Sequence, residues 1–267
     1  MLFRSRLRDA LQAAIQRQIG DLRPDQPVAV ALSGGLDSSI TAALLVQAGL
    51  RVRAYTLDLA PPGKSEAPYA QSVADALGIP LVRVPVTPQR ARQALRATVR
   101  ALDLPFGDGV TVPLFLLAER AAHDTAVLFN GEGGDQLFAG WTNKPLIAAG
   151  VYHRSQGGAE SFAEHFLRTF HRLWGLEERV FQPATLARVR QLHAGDFLRD
   201  ALDPGPAPSL LHRLRRASLR LKGAQNIQPR ASNLGQFHGL AVRSPYCDQA
   251  LAEHQLADAE AQAIALQ

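Results

Sequence analysis

Val28-Ala29-Val30-Ala31-Leu32-Ser33-Gly34-Gly35-Leu36-Asp37-Ser38-Ser39 runs from an unbroken apolar segment into a glycine pair, an acid and paired serines. The continuous apolar run Val28 to Leu32 reads as a strand buried on both faces of a parallel sheet. In such a sheet the carboxyl ends of the strands open onto the ligand crevice. Gly34 and Gly35 carry no Cβ, so backbone N–H groups there can approach phosphate oxygens closely. Ser38 and Ser39 add hydroxyls at the start of the next helix, where free N–H groups and the helix dipole favour an anion. Asp37 is repelled by phosphates unless a divalent cation lies between them, which makes it the first expected magnesium ligand. The loop is neither a Walker loop nor a GxGxxG dinucleotide turn.

Outward from this loop, strand and helix patterns alternate through the first 150 residues. Helical signals run from Ser38 to Gln47 and stop at Gly49, and Val52 to Leu57 reads as the second strand. A Pro/Gly loop, Ala60 to Pro68, leads into a helix from Tyr69 to Leu77 closed by Gly78. Leu81 to Val86 reads as the third strand. Arg90 to Leu102 and Pro113 to Ala122 read as helices, with Pro113 suited to a first turn. Ala126 to Phe129 is the fourth strand. Strands separated by helices imply right-handed βαβ units and an α/β fold with a doubly wound parallel sheet. Upstream, Leu7, Leu11, Ile15 and Ile19 form one stripe at helical spacing. Beyond Gly150 the strand signals fade: Ser161 to Trp174, Ala184 to Leu192 and Leu210 to Leu221 read as helices, with a turn-rich linker at Asp203 to Ser209. The expected organisation is a nucleotide-binding α/β region at 1–150 followed by a C-terminal helical region at 151–267.

The fourth strand runs straight into Asn130-Gly131-Glu132-Gly133-Gly134-Asp135-Gln136-Leu137-Phe138-Ala139-Gly140-Trp141. Glycines around two acids make a turn that can approach a ligand closely while presenting carboxylates to it. This turn is expected on the same sheet edge as the first loop, with Asp135 as second magnesium ligand and Glu132 as proton acceptor.

At Ser33-Gly34-Gly35-Leu36-Asp37-Ser38 the chain resembles the PP-loop ATP pyrophosphatases, whose SGGxDS loop holds the pyrophosphate of ATP. The resemblance implies a PP-loop (adenine nucleotide alpha hydrolase-like) fold and cleavage between the α- and β-phosphates. It leaves the substrate open, because the superfamily includes tRNA-modifying and argininosuccinate-forming enzymes. Asn130 to Trp141 resembles the GEGxDE signature of the asparagine synthetase C-terminal domain, a family that includes β-lactam synthetases and lasso-peptide lactam-forming enzymes. By that resemblance Asp37 and Asp135 hold magnesium and Glu132 assists catalysis. Gln136 stands where the family has glutamate, and Trp141 where it has tyrosine. Weaker likenesses lie at Ser65 to Gly78, at Pro105-Phe106-Gly107-Asp108, and at His238 to Asp248, where Arg243 and Asp248 are expected to be structural and Ala241 replaces a usual glutamate. Asp108 is open between a substrate-positioning and a turn-forming role.

The resemblance implies ATP and magnesium as cofactors. Its pyrophosphate is expected on Leu32, Ser33, Gly34, Gly35, Leu36, Asp37, Ser38, Ser39 and Gly131, and its adenine against Leu57. The implied reaction adenylates a carboxylate and passes it to ammonia or another amine, with aspartate to asparagine as the default by resemblance alone. No glutamine-hydrolysing domain precedes the loop, so ammonia is expected from solution or from a separate glutaminase subunit. The family's C-terminal lysine segment is also not found after Asp248. Lys64, Lys144 and Lys222 are the only lysines. Two alternatives stay open: a PP-loop tRNA-modifying ligase, and a non-catalytic ATP-binding subunit of a split amidotransferase.

Composition narrows these choices. With 46% hydrophobic and 20% charged residues, the 267-residue chain has the make-up of a folded globular protein. No stretch approaches the ~20 apolar residues of a membrane helix. Cys247 is the only cysteine, which excludes an internal disulfide and a CxxC metal site, fits a reducing cytoplasm, and counts against thiol-pair sulfur transfer. The net charge of +5 comes from 29 basic and 24 acidic residues. Its arginine-rich helices have no interleaved aromatics, so nucleic acid is not the expected partner.

Overall fold

The computed structural model describes residues 2–23, 25–59, 65–104, 108–140, 162–169, 175–192, 194–203 and 210–253. Five parallel strands form one sheet: β1 (Pro27–Ala31), β2 (Arg51–Leu59), β3 (Leu81–Val86), β4 (Val127–Phe129) and β5 (Ala241–Arg243), in the order β3-β2-β1-β4-β5. The chain first builds outward from β1 through β2 to β3, then returns to β1's other side with β4. That reversal makes the gap between β1 and β4 the topological switch point, where open α/β sheets bind ligands.

The period-2 alternation of the strands sorts side chains between two cores. Val28 and Val30 of β1, Val52 and Ala54 of β2, and Val127 and Phe129 of β4 face one layer. There they meet α1 (Leu2–Ile19), α2 (Leu36–Gln47) and α3 (Ala67–Leu77) through Ile15, Leu45, Ala70 and Ala74. Ala29, Tyr55, Val84 and Leu128 face the opposite layer. That layer holds α4 (Pro88–Ala101), α5 (Thr111–Ala122) and the helix Gln228–Phe237, through Ala94, Phe115, Leu117 and Leu234. The sheet is thus doubly wound, as expected. The amphipathic stripe of α1 also holds: Leu11 and Ile15 are buried, with Leu7 and Ile19 packed partly against them.

Two features depart from the sequence reading. β5 lies where no strand pattern was read, because three residues, one of them exposed, carry too little periodicity to register. The helix expected at Leu210 to Leu221 is α-helical only over Leu210–Ser218, then a π-helix over Leu219–Ile227, running directly into Gln228–Phe237. A π-helix of this length is rare. Pro229 contributes a physical reason, since it has no N–H for the carbonyl four residues back and its ring crowds that carbonyl.

The β5 segment is stitched to α1 and to the turn that follows it by two ion pairs. Arg17 donates to Asp248 from Nε at 2.9 Å, and Arg243 grips both Asp21 oxygens at 2.6 and 2.7 Å. Arg243 and Asp248 are therefore structural, as expected. Pro105-Phe106-Gly107, Trp141, Lys64, Lys144 and the linker Pro204–Ser209 lie outside the described residues. No described helix is long and apolar enough to cross a membrane.

Candidate functional site

β1 ends at the switch point, and Leu32 continues its line by donating its N–H to the Tyr55 carbonyl at 2.8 Å. The chain then turns sharply. Gly34 has φ +83°, and a Cβ there would stand 2.7 Å from the Ala70 amide nitrogen. Only glycine lets the loop rest on the first turn of α3. The serine hydroxyls hold the turn closed from inside. Ser33 Oγ and Ser38 Oγ lie 3.1 Å apart, Gly35 N donates to Ser33 Oγ at 3.1 Å, and Ser39 Oγ donates to the Gly35 carbonyl at 2.7 Å. No side chain caps α2. Its first-turn N–H groups therefore remain for an anion.

The second loop leaves β4 at Asn130 and lies directly against the first. A Cβ on Gly131 would be 2.7 Å from the Ser38 amide nitrogen and 2.9 Å from the Asp37 carbonyl carbon. The short helix α6 (Gly134–Phe138) follows and carries Asp135 in its first turn. Asn130 anchors the loop: its Oδ1 accepts from Glu132 N at 3.1 Å and from Ser244 Oγ at 2.6 Å.

The two loops border a cleft of about 640 Å³ at the carboxyl edge of the sheet. Leu32, Ser33, Gly35, Leu36, Asp37, Ser38, Leu57, Gly131, Glu132 and Asp135 all line it, so most of the residues singled out from sequence are brought together. Gly34 and Ser39 do not line it: the first packs beneath Tyr69, and the second turns its hydroxyl into its own helix. Leu36 is 75% exposed and stands at the mouth. Leu57, Leu114, Leu117 and Leu128 give the cleft an apolar wall beyond its polar loops.

Electrostatics concentrate at the acids. Burial raises the Asp37 carboxyl above its usual range, and the neighbouring Asp135 raises it further. Burial likewise raises Glu132, opposed by Arg230 and Lys222 and reinforced by Asp135 and Asp108. Two oxygen-only acids held close enough to repel are the donor type that a hard divalent cation satisfies. No group of three or more potential ligands gathers among the described residues, so substrate and water would supply the remaining positions.

Sequence reading missed Arg230. It is 5% exposed, pairs closely with Asp108 and reaches Glu132 at 3.8 Å. It was hidden among many arginines, and only the fold brings Gln228–Phe237 over the second loop. Asp108 also caps α5, accepting from Thr111 N at 2.9 Å and Val110 N at 3.2 Å. The turn-forming role is thus observed, and the same carboxylate also lines a smaller cavity beside Glu132 and Arg230.

The raised Asp37 carboxyl has a stability consequence. A carboxyl with a raised native pKa stabilises the fold when protonated, and that contribution is lost as pH rises through the native value. Asp37→Asn should therefore melt roughly 2–4 °C above the unaltered chain at pH 7 in a metal chelator. The gap should close near pH 3.5, below the ordinary carboxylate value of 3.8. Thermal scans across pH measure it; a gap that is constant with pH would refute the electrostatic origin.

The asparagine synthase family model matches residues 6–259. The glutamine-hydrolyzing asparagine synthetase 1 of Bacillus subtilis is 30% identical over 135 residues, which are 51% of this chain and 21% of that protein. The tRNA-specific 2-thiouridylase MnmA of Synechococcus sp. is 34% identical over 157 residues, 58% of this chain and 36% of that protein. Among solved structures, the NH3-dependent NAD synthetase of Campylobacter jejuni aligns with a TM-score of 0.36 and 15% identity, covering 70% of this chain and 92% of that one. The chain spans about a fifth of the length of the asparagine synthetase it matches. With a family match that runs over nearly its whole length, this chain belongs to the asparagine synthase family.

Proposed function

We propose that the chain is an ATP-dependent amide-forming synthetase that activates a carboxylic acid as its adenylate. The observation that carries this reading is the contact between the two glycine-rich loops, with Asp37, Glu132 and Asp135 on one cleft. ATP would lie with its pyrophosphate on Leu32 to Ser39 and its adenine along Leu57. A carboxylate oxygen bonds to the α-phosphorus, the bond from that phosphorus to the bridging oxygen breaks, and pyrophosphate leaves. An amine then attacks the acyl carbon, gives up a proton and displaces AMP. Glu132, whose carboxyl is raised by burial, is suited to take that proton. Asp37 and Asp135 would hold magnesium, which when bound offsets the charge of the leaving pyrophosphate. Aspartate with ammonia is the first substrate pair to test, and a separate glutaminase is one source of the ammonia.

The test measures AMP, ADP and pyrophosphate from magnesium-ATP with ammonium and single acids, beginning with aspartate. Equal amounts of AMP and pyrophosphate, formed only with an acid, are expected. ADP with phosphate as products would overturn the reading. The likeness to a tRNA-specific 2-thiouridylase and the basic sequence, with pI about 9.9, favour a second reading as a tRNA-modifying ligase. Filter binding of tRNA over a salt series discriminates, because phosphate contacts give a steep salt slope.

A further inference from the structure

No residue of α4 lines the cleft or the smaller cavity. Its Ala94 and Thr98 turn inward, where the helix rests on α5 and on Gln228–Phe237. Arg92, Leu95, Arg96, Val99 and Arg100 follow one another at three- and four-residue spacing, which sets them side by side on the opposite face. All five are exposed, with Leu95 52% and Val99 61% open to solvent.

This face is unfavourable to the chain on its own. Arginines four residues apart repel, and two such pairs run in succession along the helix. α4 carries four arginines and no acid to offset them. Arg90 is folded back and donates to the Pro85 carbonyl at 2.6 Å. Arg92, Arg96 and Arg100 have no hydrogen bond or ion pair among the described residues. The carboxylates around the helix are engaged elsewhere. Asp103 accepts from Asn233 at 2.6 Å, Asp108 pairs with Arg230, and Asp124 holds Arg53, Arg120 and Tyr55. Glu119 of α5 acts on His238. Beside the arginines, two aliphatic side chains stand in water, although burying them would be favourable.

Charge and shape discriminate between occupants. A second copy of this face would set arginine against arginine across a two-fold axis. Nucleic acid would engage the arginines but leave Leu95 and Val99 in water, and the face has no aromatic for a base to stack on. A bilayer calls for a broader apolar face, with larger side chains than one leucine and one valine. A helix with carboxylates beside an apolar stripe, both at three- and four-residue spacing, satisfies the two halves together. We infer that the outer face of α4 docks an acidic amphipathic helix of a partner protein. The partner's carboxylates meet Arg92, Arg96 and Arg100, and its apolar stripe covers Leu95 and Val99.

The probe is a fluorescein-labelled peptide of three Leu-Glu-Ala-Leu-Glu-Ala-Ala heptads, titrated with the whole chain and followed by anisotropy. Saturable binding is expected. It should weaken about tenfold or more in Arg92→Glu/Arg96→Glu/Arg100→Glu, and by a similar factor in Leu95→Ser/Val99→Ser. The charge-reversed chain should instead bind the same peptide with lysine at each glutamate, which also shows that this variant has folded. No binding of the acidic peptide, or binding indifferent to Leu95 and Val99, would overturn the surface. Arginine-dependent binding of tRNA or of phosphatidylglycerol vesicles, tighter than that of the peptide, would assign the face to another occupant and overturn it as well. Self-association through α4, seen by sedimentation equilibrium and lost in the charge-reversed chain, would do the same.

Discussion

Replacing Asp37 by alanine is expected to lower acid-dependent pyrophosphate release by roughly 10³-fold, in the range seen when one transition-state charge stabiliser is removed. The same variant should not lose stability, and this contrast makes the prediction sharp. The structural bonds of Asp37 run through its backbone: its carbonyl accepts from Thr41 Oγ1 at 2.9 Å and from the Tyr246 hydroxyl at 3.2 Å. The carboxylate contributes only burial cost and repulsion from Asp135. Activity and melting temperature should therefore move in opposite directions. A rate loss accompanied by unfolding, seen by circular dichroism, would show that Asp37 is structural. A retained rate would remove it from the proposed magnesium pair.

Gly131→Ala should cost about 100-fold in kcat/KM, although it adds one methyl group and removes no charge. The added Cβ would meet the Ser38 amide nitrogen at 2.7 Å and the Asp37 carbonyl carbon at 2.9 Å. Both are backbone atoms, so no side chain can swing aside. The loops must separate, and a shift of about 1 Å between reacting groups has a penalty of that size. Gly109→Ala is the matched control, since a Cβ there meets nothing within 4 Å. Kinetics on the two variants, with thermal melts beside them, provide the comparison. Equal activity in both would mean that close contact of the loops is not needed for turnover.

The sheet was legible because its strands carry their own signal. Val28 to Leu32 is a buried run of apolar residues, and Leu81 to Val86 alternates buried Val84 and Val86 with exposed Arg83 and Pro85, two strand patterns that act through near neighbours. The two loops were legible for a related reason. Glycines beside acids at strand ends are costly to a chain unless a ligand or a close approach requires them. Asp37, Glu132 and Asp135 could thus be chosen before any coordinates, and they do border one cleft.

What the sequence by itself determined is local: strand identity, the winding of the sheet, the loops that meet at its edge, and the acids they carry. The tertiary structure alone decided which distant side chains complete that edge. Arg230 reaches Glu132 across 98 residues of chain, and Lys222 and Asn226 enter the smaller cavity by way of a π-helix that no periodicity announces. β5 became a strand only because β4 offered it an edge to pair with. Periodicity and propensity act over a few neighbouring residues, whereas burial, ion pairing and unmet hydrogen bonds depend on which surfaces the fold brings face to face.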